Sequence, residues 1–419
     1  MQNKYYCRMN INFPFVKKFV DRIVVIYLFI IGLLILTLSA CSKNKTIDDI
    51  SIKNILFSEE VPAISLNEIF SSLIFIKLNT NTSSLVGDVN KVVLSGDSIF
   101  ISTGTNIYLF NKQGLFINKL SAIGKGPGEY LGISDILIDE SGKKILLLNA
   151  GHQKVIEYDY NFKFIKEFGI DRYAMNFAMT ADRALLFYCG NDDGGSEAGK
   201  FLLFKDGEKI SELKTIDRNR ANYLHYRMFD FLGYYNNFIT ITDPHNDTVY
   251  YSDGKDIMPR YVFDIGSKRI PNEIYANQYH DIADFSLNYL LGSDKAYGIF
   301  GYLESDSLQF LRFEERIKNN APFGELKQYY ILNHKSNSGY KVGNSLCLSK
   351  QITSKSRLPS HIVFYSQKCD NQVVFHLSAS DVGEILKKTT GIKDEPLLDE
   401  LRNQYESEMD NPFVFICKF

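Results

Sequence analysis

Ile107-Tyr108-Leu109-Phe110, followed by Asn111-Lys112-Gln113-Gly114 and Leu115-Phe116-Ile117, is an apolar strand ending in an aromatic, a polar turn and a second strand. The pattern returns in Val155-Ile156-Glu157-Tyr158 with Asp159-Tyr160-Asn161 and Phe162-Lys163-Phe164-Ile165. It returns again in Phe201-Leu202-Leu203-Phe204 with Lys205-Asp206-Gly207, and in Thr248-Val249-Tyr250-Tyr251 with Ser252-Asp253-Gly254. The closing aromatics stand at 110, 158, 204 and 251, so the steps are 48, 46 and 47 residues. A near-constant step built only of strands and turns is the mark of a four-stranded propeller blade. One such sheet cannot bury both its faces, so blades must stack around an axis.

Working outward, residues 98–101 and 144–148 read as second strands of the first two blades. Beyond Tyr251 the period weakens. Residues 270–291 carry Ile274, Tyr275, Tyr279 and Ile282 at spacings that suit a helix or ordered loop, and they read as an insertion. Strand patterns return at 309–313, at 329–332 with a turn at 335–339, and at 361–365, which gives two more blades and a total of six. Residues 380–410 read as helical. The apolar run 413–417 is then expected to pair with the early strand 73–77, so that one blade contains both chain ends and no sheet edge is left open. The expectation is an all-β, six-bladed β-propeller with four-stranded blades over residues 57–419.

Composition agrees with that class and excludes another. Tyr (26) and Phe (31) are abundant, and such residues pack well on half-buried strand faces. With 47 Lys+Arg against 49 Asp+Glu, the chain lacks the basic excess that a nucleic-acid backbone demands. No nucleic-acid partner is expected.

The start of the chain reads as an address. Lys17, Lys18 and Arg22 precede an apolar run at 23–38, which ends in Leu38-Ser39-Ala40-Cys41. That tetrapeptide resembles a bacterial lipobox, which implies a signal peptide at 1–40, a diacylglycerol on Cys41 and a polar tether at 41–56. The alternative is an uncleaved membrane anchor, for which the run is slightly short. Either way the rest of the chain is expected outside the cytoplasm, with the membrane as one partner. Without Cys7 and Cys41, four cysteines remain at 189, 347, 369 and 417. An oxidising envelope permits disulfides among them, yet widely spaced cysteines serve equally as small buried apolar residues.

These residues together resemble the six-bladed β-propeller lipoproteins of Bacteroides and its relatives. The resemblance is carried by the lipobox at Cys41, the loop Gly124-Lys125-Gly126-Pro127-Gly128-Glu129-Tyr130 and the ending Asp410-Asn411-Pro412. Phe263-Asp264-Ile265-Gly266, with Lys268 and Ile270-Pro271, adds to it. It implies a fold and an envelope address, and no chemistry; Ser42 after Cys41 gives no inner-membrane retention signal of the Asp type, which favours the outer membrane.

Two segments are candidate ligand sites. In the 124–130 loop, Lys125, Glu129 and Tyr130 could face a ligand at the propeller mouth. Alternatively the loop is a tight crossing between blades, in which Glu129 accepts backbone N–H groups and Tyr130 packs between sheets. In Asp243-Pro244-His245-Asn246-Asp247, Asp243 and His245 could hold a polar ligand or metal, although turn chemistry explains the same residues. The acidic run Asn191-Asp192-Asp193-Gly194-Gly195 lacks a regular calcium-loop series. No paired-His zinc motif and no Gly-x-Ser-x-Gly elbow is present, and no cofactor is expected. The expected function is a non-enzymatic binding module for a glycan, peptide or protein. The rivals are a propeller lyase or hydrolase with a metal on the axis, and a structural subunit of an envelope complex.

Overall fold

The structure, a computed structural model, describes residues 51–54, 60–190, 198–215, 231–243, 246–276, 279–318, 325–335, 340–352, 354–368 and 371–419. Cys41 and the signal-peptide and tether readings up to residue 50 lie outside the described residues, as do His245, Cys369 and the 191–195 run. The fold below belongs to the unit Ile50–Phe419.

Five blades form from consecutive antiparallel strands, and a sixth joins strands from both ends of the unit. Blade one comprises Lys91–Ser95, Ser98–Ser102, Ile107–Asn111 and Phe116–Leu120. Blade two comprises Asp135–Asp139, Lys144–Asn149, Lys154–Asp159 and Phe164–Gly169. Blade three comprises Asn176–Met179, Leu185–Tyr188, Gly199–Lys205 and Glu208–Thr215. Blade four comprises Leu232–Tyr235, Phe238–Ile241, Thr248–Ser252 and Ile257–Asp264. Blade five comprises Ala296–Glu304, Leu308–Ile317, Glu325–His334 and Tyr340–Gly343.

The repeating aromatics are third-strand residues. Phe110, Tyr158, Phe204 and Tyr251 are all buried, each in the face its sheet turns to a neighbour. In the first three blades the register with the outermost strand slips at that aromatic, and in the fourth it slips between Val249 and Tyr250. Such bulges sharpen the local twist of the outer hairpin. The turns that follow are closed by a side chain rather than by glycine alone. The Asn111 Oδ1 accepts the N–H groups of Gln113 and Leu115 at 3.0 and 2.9 Å. Asp159 does the same for Asn161 and Lys163 at 2.9 and 2.8 Å.

Blade six closes the ring. Its order is Tyr365–Ser366, Gln372–Leu377, Phe413–Lys418 and Ser72–Lys77, with Val414 opposite Ile76 and Ile416 opposite Ile74. Asn411 locks this junction from within. Its Nδ2 donates to the carbonyls of Asn79 and Ser84 at 2.8 and 2.7 Å, and its Oδ1 accepts the Val86 N–H at 2.8 Å. Phe375 and Phe415 stack in the core beneath. The helix Ala379–Lys388 starts at a capping box made by Ser378 and Asp381. With Pro396–Gln404 it buries Val382, Ile385, Leu398 and Leu401 against the same core.

Two features depart from the sequence reading. Of the 361–365 run only Tyr365 is strand, continuing into Ser366, and the Ile362 carbonyl accepts the Arg312 guanidinium at 3.3 Å instead of joining a ladder. The segment before blade six's outer strand also does more than tether. Ser51–Asn54 adds in parallel to the outer strand of blade four, and Glu60–Val61 adds in parallel to that of blade five. Ile64, Leu66, Ile69 and Phe70 then enter the core. Residues 270–291 form a 3-10 turn at Asn272–Ala276, a helical turn at Ile282–Phe285 and a π-turn at Ser286–Leu290, around buried Phe285.

Candidate functional site

The innermost strand of each blade pairs on one side only, so its other edge faces the axis. Around that axis the inner strands of blades one, two, three, four and six enclose a cavity of about 340 Å³. Among the described residues none from blade five lines it. Its wall is mainly apolar, with Val93, Ile138, Phe177, Ala178, Met179 and Leu232 contributing. It extends to the end where the inner strands turn outward, at Glu140, Ser141, Ala181, Arg183 and Lys368.

Ion pairs and crossing hydrogen bonds frame this space. Lys91 Nζ meets Asp135 Oδ1 at 2.8 Å, and the Asp135 Oδ2 accepts the Phe177 N–H at 3.1 Å, so one buried carboxylate ties blades one, two and three. Arg183 of blade three pairs with Asp139 of blade two. Burial alone would raise the Asp139 pKa, but the Gly142 N–H, the Ser141 hydroxyl and Arg183 outweigh it and hold the carboxyl below its ordinary range. The Tyr234 hydroxyl accepts the Met179 N–H at 3.0 Å, and the Tyr234 N–H donates to Ser366 Oγ at 3.0 Å. Gln367 accepts the Leu94 N–H at 2.8 Å and stitches blade six to blade one. Exposed Lys368 reaches across the mouth from blade six to the Thr180 carbonyl of blade three, at 3.1 Å.

None of the described candidates read from sequence, Lys125, Glu129, Tyr130 and Asp243, lines this cavity. In the 124–130 loop Lys125 is exposed, and Glu129 folds back to accept the Gly126 N–H at 2.8 Å. Tyr130 is fully buried; its hydroxyl donates to the Thr105 carbonyl at 3.1 Å. The Gly128 N–H donates to Glu167 at 3.1 Å, and the Gly128 carbonyl accepts the Tyr158 hydroxyl. Only Gly128 of the loop's three glycines has a positive φ, 71°. Gly124 and Gly126 instead leave room for the Glu129 carboxylate.

Asp243 is buried between blades three and four, where Lys200 Nζ lies at 2.6 Å and the Tyr188 hydroxyl donates at 2.7 Å. Burial works against its charge, yet Lys200 and Lys214 hold its pKa below the ordinary value. The loop and Asp243 are therefore separate places in the ring. Cys189, Cys347 and Cys417 are buried. Among the described residues no three His, Cys, Asp or Glu side chains converge where they could hold a metal ion, and no helix is long and apolar enough to cross a membrane. The cavity residues escaped sequence reading because they come from five separated blades and share no motif.

The ring, its six four-stranded blades and its axial cavity define a six-bladed β-propeller. The family model for a domain of unknown function, DUF4934, matches residues 49–418, and the chain belongs to that family. A Bacteroides fragilis protein described as exported has a similar solved structure, at 20% identity and a TM-score of 0.67, over 88% of this chain and 100% of that one. A DUF4221-family structure from Bacteroides vulgatus matches at 10% identity and a TM-score of 0.48, over 83% and 96%. No curated protein matches the chain.

Proposed function

We propose that the chain is an envelope lipoprotein, anchored through Cys41 in the outer membrane, that acts as a binding module and holds its ligand in the axial cavity. The cavity carries this reading. It has the size of small-molecule sites, an apolar wall and a few placed polar groups, on a rigid ring that fixes their positions. The exported relative of the same fold supports the address, as does the lipobox at Cys41.

The test is a thermal-shift screen of glycans, peptides and small molecules on the unit Ile50–Phe419, which contains every described strand. It is repeated on Ala181→Trp, which places an indole at the exposed rim. Ligands that stabilise the parent and not the variant support the axial site. Ligands that stabilise both equally refute it.

A further inference from the structure

The axial cavity is apolar where a sugar site would be polar. A saccharide presents hydroxyls in every direction and is held by convergent side-chain donors and acceptors that are free to meet them. Among the described residues nine polar side chains line this cavity, and each already bonds within the protein. Lys91 is engaged by Asp135, while Arg183 and Ser141 are engaged by Asp139. Glu140 accepts the Gly96 N–H at 2.8 Å. The Tyr234 hydroxyl accepts the Met179 N–H of blade three, Ser366 Oγ accepts the Tyr234 N–H, and Gln367 and Lys368 bond to Leu94 and Thr180.

Two of the wall's cations, Lys91 and Arg183, each have a carboxylate partner within the fold. A charged ligand would have to compete with an internal partner such as Asp135 or Asp139 for its cation. Main-chain carbonyls on the axial edges of the inner strands, which pair on one side only, add acceptors, while the N–H groups of Leu94, Phe177, Met179 and Tyr234 there are already taken by side chains of neighbouring blades.

We infer that the ligand of this cavity is a small, uncharged and predominantly apolar molecule carrying one or two polar atoms, and not a glycan. The apolar body fills the space between Val93, Phe177, Met179 and Leu232, and its polar atom meets a strand edge. The inference rests on the axial-cavity reading above, and the experiment separates the two.

The unit Ile50–Phe419 is titrated by calorimetry with 1-naphthol, an uncharged aromatic with one hydroxyl, and with maltotriose. Ala181→Trp at the exposed rim and Val93→Phe on the wall block the cavity from different blades, so either serves if the other fails to fold, as judged by its melt. The expected result is saturable 1-naphthol binding, weakened at least tenfold by the folded variants, with no maltotriose binding. Maltotriose binding that the variants abolish overturns the ligand class while leaving the cavity as the site. Saturable 1-naphthol binding that survives both variants places the site elsewhere and overturns both readings. Absence of saturable 1-naphthol binding overturns the inference.

Discussion

The side-chain oxygen of Asn411 accepts the main-chain N–H of Val86 at 2.8 Å, across 325 residues of sequence. With its amide donating to Asn79 and Ser84, one fully buried side chain saturates three main-chain groups in the loop that follows blade six's outer strand. Asn411→Leu strips all three of partners in a buried setting, and the expected loss is on the order of 2–4 kcal/mol in denaturant melts. Asn411→Asp retains the acceptor and should lose stability too, because two carbonyls would then face a carboxylate. A leucine variant as stable as the parent would refute the locking role.

Deletion of residues 411–419 removes the strand between Gln372–Leu377 and Ser72–Lys77. Two sheet edges are then exposed, and the truncated chain should aggregate or lose its cooperative transition. Gel filtration and a melt read this directly.

The glycines of the 124–130 loop should separate. Gly128 has φ 71°, and a Cβ there would stand 2.7 Å from the Phe164 ring, so Gly128→Val should cost on the order of 2–4 kcal/mol. Gly126 lacks a positive φ, and a Cβ there would only press on the Glu129 carboxylate at 3.1 Å. Gly126→Ala should cost about 1 kcal/mol. Glu129→Ala leaves the Gly126 N–H without its acceptor, at about 1–3 kcal/mol, and Lys125→Ala should stay within about 0.5 kcal/mol. Equal losses at Gly126 and Gly128 would contradict the geometry.

Stability should fall between about pH 6.5 and pH 4 through His376. Burial, with a smaller contribution from His361 and against the pull of Asp381, pushes its pKa down to about 4. Its Nδ1 is buried without a hydrogen-bond partner. In that window the unfolded chain binds a proton that the folded chain refuses, so acidification favours unfolding, by up to about 3 kcal/mol for this group. His376→Leu should flatten the profile there. An unchanged profile would show that another group sets it.

Cys41→Ala should leave the precursor unprocessed and move mature protein out of the membrane fraction. Normal processing and membrane retention of the variant would rule out the lipid anchor.

Lys368 spans the cavity mouth from blade six to the Thr180 carbonyl of blade three. Lys368→Ala should speed both entry and exit of an axial ligand severalfold in stopped-flow traces, with little change in Kd. A change confined to Kd would assign Lys368 to ligand contact instead.

The blades were legible because Phe110, Tyr158, Phe204 and Tyr251 repeat for a physical reason: each is a buried third-strand residue at or beside a bulge. The closing strand was legible because 413–417 is an apolar run that, in a ring, leaves the early run 73–77 as its natural partner. The parallel additions at Ser51–Asn54 and Glu60–Val61 were not, since four- and two-residue strands show no periodicity. The axial cavity was illegible for a different reason. Val93, Phe177 and Leu232 meet through the closure of the ring, and nothing local marks them. The glycine-rich loop drew attention because its composition is unusual, and that composition serves a Glu129 turn and a Tyr130 plug.

The order in which the chain is made bears on the strap that runs along blades four, five and six. Its strands leave the ribosome before the edges that receive them, which are built from residues 257–264, 340–343 and 413–418. For most of synthesis they are sheet-forming segments without a sheet. Completion of the ring must therefore wait for the last residues to arrive, and until then these early strands are the part of the chain most exposed to proteases and to mispairing between neighbouring molecules.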